Sequence, residues 1–135
     1  MQPQTQIVPR LKGLRIAVVE DETLVALLLE DMLNDLGCEV LWTAHRVARA
    51  LELVEQSTPD AGVLDVNIAG DEVYPVAAAL AERRVPFIFT TGYGTRGLSE
   101  QWRDRPIVQK PFQVEHLTDG LLNALGRPSL LPVDR

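Results

Sequence analysis

The sequence predicts an α/β fold built on a parallel sheet, and three observations carry that expectation. Short apolar runs alternate along the chain with stretches of helical periodicity, the pattern of repeated strand–helix–strand units. Each apolar run is only a few residues long and is closed by turn-forming residues, as a buried strand is. Four of the runs break into chemistry-bearing residues at the same end. Residues 16–19 lead into Glu20-Asp21-Glu22, residues 61–64 into Asp65-Val66-Asn67, residues 87–90 into Thr91-Gly92-Tyr93, and residues 107–109 into Lys110-Pro111-Phe112. Ligands of open α/β sheets sit beyond the carboxyl ends of the strands, so parallel strands bring these groups together at one mouth.

The elements follow in order. After the first strand, Thr23 is the expected cap of a helix whose stripe is Val25, Leu28, Leu29, Met32, Leu33 and Leu36, with Gly37 as its stop. Residues 40–43 form a second strand, and Val47, Ala50, Leu51 and Val54 mark a second helix ending before Pro59. The Asp65 strand precedes a third helix with Val73, Val76, Ala77 and Leu80 on one face; Pro75 falls in its first turn, where a missing N–H is tolerated. A strand over 87–90 follows Pro86, and the last helix carries Val114, Leu117, Leu121, Leu122 and Leu125. Between these two, residues 92–106 hold Gly92, Gly94, Gly97 and a charged run closed by Pro106. Only Leu98 and Trp102 are left there for a core, so a short helix at most fits, and motion is expected. Residues 1–12 and 127–135 read as tails around a single domain at 13–126.

Bulk properties exclude several classes. The chain has 135 residues, 46% hydrophobic and 24% charged, enough for one core and requiring no second domain. Its net charge of −6 argues against a nucleic-acid surface, which usually brings a pI above about 9. The single Cys38 cannot form an internal disulfide and fits a reducing cytoplasm. No apolar run approaches the roughly 18 residues of a membrane span, and the start lacks the form of a signal peptide.

The convergent residues define a chemistry. Carboxylates about 4 Å apart repel by roughly 4 kcal/mol at an effective dielectric near 20. The acids at positions 20, 21 and 65 therefore need a cation or a proton. Mg²⁺ suits a site of one or two carboxylates, water and phosphate oxygens, and Lys110 supplies a second positive charge for an anion. With that neutralisation, Asp65 is placed to act as a carboxylate nucleophile toward a phosphoryl group.

Taken together, Val19-Glu20-Asp21-Glu22, Asp65, Thr91 and Lys110-Pro111-Phe112 resemble the receiver domain of bacterial two-component response regulators over residues 14–125. The resemblance implies a flavodoxin-like (βα)5 sheet of order 2-1-3-4-5, here with a short or mobile fourth helix. It implies that Glu20 and Asp21 hold Mg²⁺ with Asp65 and the backbone carbonyl of Asn67, and that Asp65 is the phosphoacceptor. Thr91 would hydrogen-bond the phosphoryl group, Lys110 would pair with it, and the Lys110–Pro111 bond would be cis. Asn67 and Tyr93 match positions that tune acyl-phosphate lifetime. Phe89-Thr90-Thr91-Gly92-Tyr93 is similar to the Phe-Ala-Thr-Gly-aromatic signature of a subset of stand-alone receivers, several of them in stress-response phosphorelays. Ile107 stands where many receivers have the aromatic switch residue, and the interval from Thr91 to Lys110 is shorter than usual.

The implied function is a phosphoryl-accepting signalling module rather than an enzyme. Its donor would be a sensor histidine kinase or a histidine phosphotransferase, and a downstream protein would meet the 92–112 side, the chain being a monomer or weak dimer. Two other readings remain. A phosphatase forming an aspartyl-phosphate needs a second acid two residues after the nucleophile, where this chain has Asn67. An interaction scaffold with a silent site is the other. Taken singly, Asp65 is a common turn former, Glu20 and Asp21 are helix-dipole acids, Thr91 ends a strand and Lys110 is a solvated charge. His45 and His116 read as surface histidines, and Arg96, Arg103 and Arg105 as a solvated face or, on a mobile loop, a contact for a partner kinase.

Overall fold

The computed structural model describes residues 9–92 and 98–127. Five strands form one parallel sheet: β1 (Arg15–Val19), β2 (Glu39–Ala44), β3 (Ala61–Asp65), β6 (Phe87–Thr91) and β7 (Ile107–Gln109). Their spatial order is β2-β1-β3-β6-β7, which in sheet strands alone is the expected 2-1-3-4-5. The helices are α1 (Thr23–Asp35), α2 (Val47–Gln56), α3 (Tyr74–Glu82) and α4 (Val114–Ala124). A small antiparallel hairpin, β4 (Asn67–Ile68) with β5 (Asp71–Glu72), lies between β3 and α3.

Side-chain alternation along the central strands divides the interior in two. Ile16, Val18, Ala61, Val63 and Ile88 pack with Leu29 and Leu33 of α1 and Leu117, Leu121 and Leu122 of α4. Val19, Leu64, Phe87 and Phe89 face the other way, onto Ala50 and Val54 of α2 and Val76, Ala77 and Leu80 of α3. A strand buried on both faces reads as a continuous apolar run, which is why β3 and β6 were visible in the sequence. Gly62 lets α3 come close: a Cβ there would lie 3.1 Å from Leu80 Cδ1.

Three details depart from the sequence reading. Glu22, not Thr23, is the N-cap of α1, and no side chain caps it. The core stripe of α1 is Ala26, Leu29, Leu33 and Leu36, whereas Leu28 is 50% exposed beside Leu24 at 81% and Leu27 at 50%. Leucines recur around this helix, so spacing alone supports two stripes and only packing chooses between them. Chain order also extends further than the tail boundary at residue 12: Leu11 is fully buried, and its carbonyl meets Cys38 Sγ at 3.5 Å.

Between β6 and β7, where the sequence allows a short helix at most, the described residues form a 3-10 turn at Glu100–Trp102. Leu98 and Trp102 are buried there, and the indole stands edge-on to Phe87 at 5.8 Å and to Phe89 at 6.3 Å. Tyr74 fixes the turn from α3, its hydroxyl accepting the Ser99 N–H at 2.7 Å.

Leu33→Ala is expected to lower unfolding stability by roughly 2–5 kcal/mol through the cavity it leaves. Leu24→Ala, on the exposed side of the same helix, is expected to stay within about 0.5 kcal/mol. Urea denaturation of both variants checks which stripe of α1 faces the core.

Candidate functional site

Strand register builds the site. Val19 pairs with Leu64, Asp65 with Thr90, and Thr91 with Gln109, so Asp65 and Thr91, which end their strands, and Glu20 and Lys110, which directly follow theirs, lie along one edge of the sheet. Backbone hydrogen bonds hold these tips: Glu20 N–H to Ala44 O at 3.0 Å, Val66 N–H to Thr90 O at 3.1 Å, and Lys110 N–H to Thr91 O at 2.9 Å. The Lys110–Pro111 bond is cis.

Lys110 is the centre of the charge arrangement. Its Nζ donates to Asp65 Oδ2 at 2.9 Å and lies 3.0 Å from Glu20 Oε1. Glu20 is nearly inaccessible, and its other oxygen accepts the Glu22 N–H at 3.1 Å. Burial, with the Asp65 charge adding to it, pushes the Glu20 carboxyl up to about 7 against the pull of Glu22 N–H and Lys110. Burial works to lower the Lys110 ammonium, but its hydrogen bonds to Asp65 and Glu20 outweigh that and its pKa is raised.

A carboxylate oxygen from each of Glu20, Asp21 and Asp65 lies within 4.8 Å of the others. All three donors are hard oxygens, the chemistry that Mg²⁺ selects, so the residues present fit such an ion. Asp21 and Asp65 line an open cleft of about 1060 Å³ with Asn67, Thr91 and Lys110. Glu20 is absent from that lining and backs Lys110 from inside.

The β4–β5 hairpin forms the far wall. Its turn places Ala69 at φ 53° and Gly70 at φ 88°, the paired left-handed conformation of a tight hairpin. Ala69 N–H donates to Asp21 Oδ2 at 2.9 Å, Asn67 N–H to Asp65 Oδ1 at 3.3 Å, and Gly70 N–H to Asn67 Oδ1 at 3.2 Å. Fully buried Ile68 anchors the hairpin. These contacts orient two acids. His45, read as a surface residue, has Nδ1 2.8 Å from the Glu20 carbonyl. Tyr93 lies outside the described residues.

The geometry agrees with what the chain is similar to. The response regulator receiver domain model matches residues 16–121. The transcriptional regulatory protein PdtaR of Mycobacterium tuberculosis is 31% identical over 84% of this chain and 57% of its own length. The chain spans about half the length of the curated relatives it matches. Among solved structures, SdrG from Sphingomonas melonis Fr1 superposes with a TM-score of 0.77 at 42% identity, over 84% of this chain and 97% of that one. The BeF3-activated conformation of SdrG, from Pseudomonas melonis Fr1, gives 0.68 at 45% identity over 84% and 95%. An Asp-bearing mouth on a sheet of order 2-1-3-4-5, matched along most of its length, places this chain in the response regulator receiver domain family.

Proposed function

We propose that this receiver takes a phosphoryl group on Asp65 from a histidine kinase or histidine phosphotransferase in a two-component or phosphorelay pathway. The observation that carries the proposal is the contact of Lys110 Nζ with Asp65 Oδ2 at 2.9 Å, with the Asp21 and Glu20 carboxylates within 4.8 Å. In the proposed reaction Asp65 Oδ attacks phosphorus in line, the donor's P–N bond breaks, and an acyl phosphate forms. Mg²⁺, bound by Asp21, Asp65 and the Asn67 carbonyl with Glu20 behind, would supply charge neutralisation for the phosphoryl oxygens. Lys110 would exchange part of its contact with Asp65 for a phosphoryl oxygen, and Thr91 would hydrogen-bond another. Asn67, unable to lend a carboxyl proton, argues for a receiver rather than a phosphatase that turns over.

The output is proposed to be contact with another protein, in the cytoplasm, through the 92–112 side. Among the described residues no helix is long and apolar enough to cross a membrane. The similar SdrG has a BeF3-activated conformation, which supports a phosphoryl-driven change here too. Exposed Leu24 and Leu27, at the start of the helix that follows the acids, offer an apolar contact for the donor.

Incubation with acetyl phosphate and Mg²⁺ is expected to add one phosphoryl mass to the chain, with none on Asp65→Asn and at least about a tenfold loss in rate for Lys110→Ala. Full labelling of Asp65→Asn would move the acceptor elsewhere. The Glu20 carboxyl gives a second expectation. Its folded pKa of about 7 lies above the ordinary 4.5, so the native state holds the extra proton. The stability this proton confers is complete below about 4.5 and lost as pH rises through about 7. Without divalent ions, the melting temperature of wild type is therefore expected to fall relative to Glu20→Gln across that window. Parallel profiles would contradict it.

A further inference from the structure

At the opposite edge of the sheet a second cleft of about 360 Å³ opens between the end of α3, the starts of β6 and β7, and the end of α4. Ala81, Val85, Pro86, Ala124 and Leu125 supply its apolar lining. Arg84 and Arg105 complete the lining. In a chain of net charge −6, two guanidiniums lining one cleft beside aliphatic side chains are a local reversal of sign.

Arg105 is seated against two aromatic rings. Its guanidinium carbon lies 4.5 Å from the Phe87 ring centroid and 5.4 Å from that of Trp102. Stacking on aromatic faces fixes the plane of the group and leaves its N–H edge for a planar anion. Arg84, exposed and at φ 59°, projects from the turn that follows α3. Among the described residues neither arginine makes an ion pair. The sequence reading of Arg105, as a solvated face or a partner contact on a mobile loop, does not reach this seat, because the two rings come from residues 87 and 102.

We propose that this cleft docks a short acidic segment of a partner protein, in which a carboxylate side chain stands beside an aliphatic one. The carboxylate meets the edge of Arg105 and the charge of Arg84, and the aliphatic group covers Val85, Pro86 and Leu125. The cleft's volume is near the low end of the roughly 300–1,000 Å³ usual for ligand sites, so a few side chains fill it rather than a whole helix. The five residues of β6 separate the cleft from the Asp65 mouth by about 17 Å, at roughly 3.3 Å per residue. The partner thus holds the receiver by the end of the sheet that the phosphoryl chemistry does not occupy, and the proposal does not rest on the reading of Asp65.

The test is an amide and side-chain NMR titration of the ¹⁵N-labelled full chain. The probe is an acetylated, amidated peptide alternating leucine with aspartate; its counterpart carries asparagine for aspartate. The acidic peptide is expected to shift the Val85 amide, the Trp102 indole N–H and the Arg105 Nε–H, and the neutral one to bind at least about fivefold more weakly. Arg84→Gln and Arg105→Gln are each expected to weaken the acidic peptide by about threefold or more. Arg84→Gln removes an exposed side chain, so it reads binding even where loss of the Arg105 stack unsettles the fold. Beryllofluoride shifts at Asp65 in Arg84→Gln report the other site separately. Equal binding of both peptides, no shift of the three reporters up to millimolar peptide, or undiminished binding to Arg84→Gln overturns the proposal. Shifts of the same reporters with protein concentration alone would assign the cleft to a second copy and overturn it too.

Discussion

One ammonium group holds the candidate site together. Lys110 Nζ stands between Asp65 and Glu20, 2.9 and 3.0 Å from their oxygens, at an edge where parallel strands force acids into proximity. Without it, Glu20 would be an inaccessible carboxylate beside two more, and buried charges of one sign are not tolerated unpaired. The arrangement neutralises only part of the negative charge. What remains, the cleft-lining oxygens of Asp21 and Asp65, is where a hard cation is favoured.

The sheet makes that contact possible over long sequence separations. Asp65 and Lys110 lie 45 residues apart in sequence and meet because β3, β6 and β7 run parallel in matched register. Two fully buried layers lock this register. A shift of one residue would send Leu64, Phe89 and their neighbours to the opposite layer. The aromatic group under the 98–102 segment belongs to the same layer. Phe89 stands two residues before Thr91, with Tyr74 and Trp102 edge-on to it at 6.1 and 6.3 Å. With Ile107 at the usual aromatic position, these rings are the packed link between the Thr91 strand and the segment beyond it.

Much of this was legible in the sequence because it depends on strong local patterns. Doubly buried strands read as apolar runs, and functional groups follow them directly, so β1, β3, β6, β7 and the convergence of Asp21, Asp65 and Lys110 could be placed from spacing. What was not legible depends on tertiary choice. Leucines all round α1 hid which stripe is inside, and only packing exposes Leu28 while burying Ala26. The β4–β5 hairpin is too short for a periodic signal, yet it supplies the Ala69 N–H that holds Asp21. The seat of Arg105 joins residues from different elements, which no window of sequence contains.

The central claim is that the acids at this edge, balanced in part by Lys110, form a divalent-cation site. Calorimetric titration of Mg²⁺ into the wild-type chain and into Asp21→Asn tests it most directly. A saturable one-site isotherm in the wild type, lost in Asp21→Asn, is the predicted result. Absence of binding in the wild type, or an identical isotherm in both chains, would contradict it.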